Sequence, residues 1–126
     1  YLSAHVSVTS HSSERAIVGI SAGARGALDA VLATGAYQRL GLVIPALGAP
    51  DLDAVNTWKP VPLRVSILAA HYDTLNMTAA RGIQLELGEH ERNVFFREVP
   101  EGHSTATWRT HLRDVLIDLF GTQTKR

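Results

Sequence analysis

Ala16-Ile-Val-Gly-Ile20 is a short, uninterrupted apolar run that gives way at Ser21 to a stretch of different period, and this junction constrains the fold more than any other feature. A run that is apolar at both alternating positions suits a strand buried on both faces, as in a parallel sheet. From Ala22 to Thr34, Ala24, Ala27, Leu28 and Val31 fall on one helical stripe, and Gly35 follows as a C-terminal stop. The alternation then recurs. Leu42-Val-Ile44, the segment from Leu63 to Leu68 and the segment from Val94 to Val99 read as strands. Helix is expected from about Asn76 to Leu87, where Gly82 is a weakness, and again along Trp108, Leu112, Val115, Leu116 and Leu119, capped by Ser104 or Thr105 and ended by Gly121. The stretch 48–62, with Gly48, Pro50, Asp51, Asp53, Pro60 and Pro62, reads as a surface loop. This order predicts an α/β domain with a mainly parallel sheet of about four strands, helices on both faces and right-handed crossovers. Leu2, Ala4, Val6 and Val8 alternate with polar residues, which leaves the first dozen residues open between strand and helix.

At 126 residues the chain fits one domain. Twelve Lys and Arg balance twelve Asp and Glu, so no global field recruits nucleic acid or an anionic membrane, and neither is expected as a partner. The absence of Cys excludes a disulfide framework, a thiolate metal site and a cysteine nucleophile. The longest apolar stretch, Leu40 to Leu47, is strand-sized and holds Pro45, well short of a membrane span. The first residue is Tyr1 and no signal-peptide pattern follows it, so a processed or truncated product is expected.

Chemistry concentrates at Gly19-Ile-Ser-Ala-Gly23, a G-x-S-x-G where a strand should end and a helix begin. Such an elbow holds its serine in strained backbone, and side chains at Gly19 and Gly23 are expected to collide with the neighbouring strand and helix. Ser21 Oγ would then stand above the carboxyl edge of the sheet, with the Ala22 N–H and the helix dipole aimed where an oxyanion forms. A serine hydroxyl needs a base and an orienting group. His103, after the fourth strand, and Asp73, after the third, both belong to that edge, in the chain order Ser, Asp, His. Asp51 and Asp53 are rival acids, and Asp73 has the alternative of capping the next helix. A phosphate or dinucleotide loop fits less well, because Gly19, Gly23 and Gly26 do not make G-x-G-x-x-G. His71, Asp73 and His103 lack metal-ligand spacing. His5, His11, His90 and His111 show no partner pattern, Trp108 reads as a core anchor, and Arg25 either lines the site or is solvated. The reading calls for neither cofactor nor metal.

The stretches Ala16-Ile-Val-Gly-Ile-Ser-Ala-Gly-Ala-Arg-Gly-Ala-Leu28 and Val99-Pro-Glu-Gly-His-Ser-Thr-Ala-Thr-Trp-Arg-Thr-His-Leu112 resemble the esterase family of α/β-hydrolases that includes enterochelin (siderophore), feruloyl and acetyl-xylan esterases, mycolyltransferases and S-formylglutathione hydrolase. The second stretch is the more specific, since the family follows its histidine with Trp-Arg and Leu, as in Trp108, Arg109 and Leu112; the enterochelin-esterase branch is the one it resembles. The resemblance runs from about Arg15 to Gly121. It implies hydrolysis of a small-molecule carboxylic ester, a siderophore among the candidates, through an acyl-enzyme on Ser21 with His103 and Asp73. Acyl transfer by the same triad and a non-catalytic binding or assembly module are the alternatives. Ala22 replaces a bulkier family residue and Ala24 a frequent glycine, implying a roomier acyl pocket. Family members carry several strands before the elbow, one of whose loops supplies a second oxyanion N–H. The chain is therefore expected to be a C-terminal half, partnered by an N-terminal half or by a second copy along the strand at Ala16.

Overall fold

Where a strand is buried on both faces, its neighbours must be reached by helical crossovers, and the chain alternates accordingly. The computed structural model describes residues 9–57, 64–89 and 93–121. After a single 3-10 turn at Ser12–Glu14, the elements are β1 Ala16–Ile20, α1 Gly23–Thr34, β2 Arg39–Val43, α2 Ala49–Thr57, β3 Arg64–Ala70, α3 Thr74–Glu89, β4 Asn93–Val99 and α4 Thr105–Phe120. The strands form one sheet in the order β1-β2-β3-β4, every pair parallel. Because all four point the same way, the turns after β1, β3 and β4, which carry Ser21, Asp73 and His103, share one edge.

The two faces bury separate cores. On one, Leu40, Leu42, Val65, Ile67, Ala69 and Val94 meet the apolar stripes of α1, α2 and α3; on the other, Val43, Leu68 and Ala70 meet Val115 and Leu119 of α4, with Trp108 packed alongside as a core anchor. Each fully buried Leu, Ile or Val contributes about 1.5–3 kcal/mol to holding the layers together. Gly35 ends α1 in left-handed backbone at φ 61°, donating to Val31 O, and Ser104 caps α4 by accepting the Thr107 amide.

Three expectations are corrected. The segment read as a surface loop contains α2. Pro50 lies in its first turn, where a missing N–H leaves no helical bond unmade, and Asp51 reaches back to the Gly48 amide at 2.8 Å as the acidic member of a capping box. The second strand is Arg39–Val43 rather than 42–44, because Ile44 turns out of the sheet with φ 39°. Gly82 is no weak point: a Cβ there would lie 3.3 Å from Leu52 Cδ1, so the glycine lets α2 approach α3. The alternating stretch 1–8, His5, the prolines at 60 and 62, Leu63 and His90 lie outside the described residues.

Candidate active site

Ser21 leaves β1 with φ 56°, a left-handed conformation that non-glycine residues hold at a cost of order 1–3 kcal/mol, and only when the surroundings dictate it. Here they do. The Ser21 amide donates to Val43 O at 2.9 Å, and its carbonyl accepts from the Ala24 amide at 3.1 Å and the Ala46 amide at 3.0 Å. A Cβ on Gly19 would come within 2.3 Å of Gly23 O and 2.6 Å of Ala24 Cα, so α1 doubles back onto β1 only over a glycine. Gly23 differs from expectation. A Cβ there meets nothing within 4 Å, because it faces away from the strand at the exposed start of the helix.

Ala22 is the N-cap of α1, and its amide has no backbone acceptor among the described residues. Behind it the Ala24 amide is taken by Ser21 O, so the Ala22 N–H is the donor left beside Ser21 at the start of the helix.

Across the edge, Ser21 Oγ lies 2.7 Å from His103 Nε2, and His103 Nδ1 lies 2.6 Å from Asp73 Oδ2. A carboxylate only accepts, so Nδ1 carries a proton and the neutral ring presents Nε2 as the acceptor for the serine hydroxyl. The Asp73 side chain is 11 % exposed and the His103 ring 35 %, so the acid is shielded while the ring stays reachable. Asp73 opens α3, and its backbone carbonyl accepts the Met77 amide at 3.1 Å. Its carboxylate takes no first-turn amide; it receives Asn76 Nδ2 at 3.0 Å and the imidazole. Capping therefore does not account for the side chain's orientation.

The His103 turn is tied on both sides. The Tyr72 amide donates to Glu101 O at 3.0 Å, joining it to the Asp73 turn. Thr107 Oγ1 donates to Gly102 O at 2.7 Å, and His111 Nε2 to the Glu101 carboxylate at 2.7 Å. That hydrogen bond from His111 holds the Glu101 carboxyl below the ordinary carboxylate range. His111, a helix-face residue of α4 with no partner pattern in the sequence, is thus partnered by Glu101. Thr107 gives no signal in the sequence, and the partner of His111 lies outside any local pattern.

The remaining candidates go elsewhere. Asp51 is buried and accepts from Arg25 at 3.0 Å and from the Gly48 amide, which fixes the α1 to α2 packing and decides Arg25 as its ion-pair partner. Asp53 and His11 are exposed. His71 donates from Nδ1 to Glu98 at 2.9 Å, and Arg81 pairs with the same carboxylate at 2.6 Å. Those two bonds, Arg81's first, lower the Glu98 carboxyl. His71 thus pairs with Glu98, and no group of metal-ligating side chains forms among the described residues. No helix among them is long and apolar enough to cross a membrane.

No family model matches the sequence, and no curated protein sequence is significantly similar to it. Solved structures are. The enterobactin esterase of Shigella flexneri superposes with a TM-score of 0.80 at 21 % identity, covering 89 % of this chain and 33 % of that one. The ferric enterobactin esterase of Salmonella typhimurium gives 0.72 at 19 %, covering 88 % and 31 %. S-formylglutathione hydrolase of Staphylococcus aureus gives 0.66 at 17 %, covering 94 % and 56 %. The chain has the fold of these α/β-hydrolases and spans about a third of the length of the two enterobactin esterases.

Proposed function

We propose that this chain carries the catalytic centre of a serine carboxylic-ester hydrolase, with Ser21 as nucleophile, His103 as general base and Asp73 as the group that orients it. One observation carries the reading: the unbroken hydrogen-bond chain from Ser21 Oγ through both nitrogens of His103 to Asp73, built on a serine held in left-handed backbone.

In the first half-reaction, Ser21 Oγ attacks the ester carbonyl carbon as its proton passes to His103 Nε2. Asp73 stabilises the imidazolium, and the Ala22 N–H donates to the developing oxyanion. Collapse of the tetrahedral species breaks the ester C–O bond, and His103 returns the proton to the departing alcohol. Water, deprotonated by the same nitrogen, then attacks the acyl carbon; collapse breaks the bond to Ser21 Oγ, which takes back the proton from His103 as the carboxylic acid leaves. An acceptor alcohol in place of that water turns the cycle into acyl transfer.

The substrate we favour is a small-molecule ester of the siderophore type, by analogy with the enterobactin esterases that share the fold. A second oxyanion donor is assigned to a partner, either an N-terminal portion or a second copy, seated along β1 at the edge of the sheet. One donor fewer is worth about 3–4 kcal/mol of transition-state stabilisation.

A fluorophosphonate probe tests the reading, since only an activated serine is labelled. Intact mass should show one adduct on the wild-type protein and labelling slower by at least about three orders of magnitude in Ser21→Ala. Equal labelling of the two, or none of the wild type, overturns the assignment in favour of a binding module.

A further inference from the structure

His103 stands on the turn Gly102-His-Ser104 between β4 and α4, and an exposed turn of this kind ordinarily samples several backbone states. Groups on α4 remove that freedom. Thr107 is 1 % exposed, yet its hydroxyl faces the turn and donates to Gly102 O at 2.7 Å. The same oxygen lies 3.1 Å from Ser104 Oγ. With the Thr107 proton committed to the carbonyl, the proton between the two hydroxyls comes from Ser104. One buried oxygen therefore holds the residue before His103 and the residue after it. One turn further along α4, His111 fastens Glu101.

Helix capping does not require this arrangement. The cap needs only Ser104 Oγ to accept the Thr107 amide, which it does at 3.3 Å, and a valine at 107 would fill the same volume. The hydroxyl at a buried position serves the turn. We propose that Thr107 is a positioning residue of the site, with the Glu101–His111 pair as a second tie, together keeping His103 Nε2 within hydrogen-bonding reach of Ser21 Oγ. The inference rests on the reading of Ser21 as nucleophile, because a displacement of about 1 Å at the base translates into loss of rate only if proton transfer occurs there.

Thr107→Val removes the hydroxyl at constant shape, and Thr107→Ser restores it. Two readouts apply to the full chain: the second-order rate of fluorophosphonate labelling, and the downfield proton resonance of His103 Nδ1–H in its short bond to Asp73. T107V should label about ten- to a hundredfold more slowly and lose or broaden the resonance, while T107S keeps both near wild type. A sharp, unshifted resonance in T107V overturns the inference, whatever the labelling. If the wild type takes no label, the nucleophile reading fails, and the resonance still decides: lost in T107V and kept in T107S supports positioning, kept in both overturns it. Should T107V fail to fold, His111→Ala against His111→Gln, which retains an N–H donor, is judged by the same resonance.

Discussion

Asp73 and Asp118 are two shielded carboxylates, each with both oxygens hydrogen-bonded, and their partners separate the acid of the proposed site from a structural one. Asp118 is fully buried under the sheet, where Arg97 engages both its oxygens at 2.8 and 2.6 Å and Ser66 Oγ adds a third bond at 2.8 Å. Its backbone carbonyl takes Arg64 as well. That network ties α4 to β3 and β4, and its charge goes no further, because a guanidinium has no acceptor to offer a next group. Asp73 instead meets an imidazole, the one side chain that donates from one nitrogen while accepting at the other, and the chain of bonds continues to Ser21. Satisfaction of a shielded acid is common to both; continuation to a hydroxyl at the sheet edge distinguishes Asp73.

Asp73→Asn should produce the largest effect. It keeps the shape but favours the wrong imidazole tautomer, so turnover of an activated ester should fall about 10⁴-fold while urea unfolding moves by less than about 1 kcal/mol. Unchanged turnover would place Asp73 in the same class as Asp118. Arg97→Met should do the reverse: leaving the Asp118 charge unpaired lowers unfolding free energy by about 3 kcal/mol without slowing fluorophosphonate labelling of Ser21. A loss below about 1 kcal/mol would erase the contrast. Gly19→Ala, which sets a Cβ against backbone, should destabilise by about 2 kcal/mol, whereas Gly23→Ala should be neutral or stabilising by up to about 1 kcal/mol; paired thermal melts decide.

The smallest effect concerns Glu101, the more exposed carboxylate beside the site. A carboxyl lowered in the folded state stabilises it above the unfolded-chain value of about 4.3 and loses that contribution as pH falls through the lower folded value. Melting temperature should therefore drop less steeply from about pH 5 to pH 3 in Glu101→Gln than in wild type. Parallel curves would show that His111 does not stabilise the ionised form.

The side chains of the proposed site are legible because each belongs to a local transition. Ser21 follows a change of period, Asp73 and His103 follow apolar runs, and a parallel sheet brings such ends together. The elements missed were those whose local composition misleads. Gly48, Pro50, Asp51 and Asp53 read as a turn, yet Gly48-x-x-Asp51 is a helix start; the signal available is an acid three residues after Gly48 with Pro50 between, and the structure shows that acid accepting the Gly48 amide. Gly82 looked like a helix defect because Leu52, thirty residues earlier in the chain, was invisible to a window centred on it. Thr107 reads as an ordinary helix residue until Gly102 O is seen above it. In the last two cases the deciding contact comes from a segment that local periodicity does not address.

The carbonyl of Ser21, which accepts both the Ala24 and the Ala46 amides, has a consequence measured in time. Ala24 belongs to the first turn after β1 and Ala46 to the segment leaving β2, so two stretches of chain close on one oxygen. Neither can lift away without releasing the left-handed residue between them, and local opening there is a joint event. In deuterium exchange these two amides should therefore run on a common clock, slower than the exposed turn of His103, so that a residue held in left-handed backbone lies in a slowly opening region.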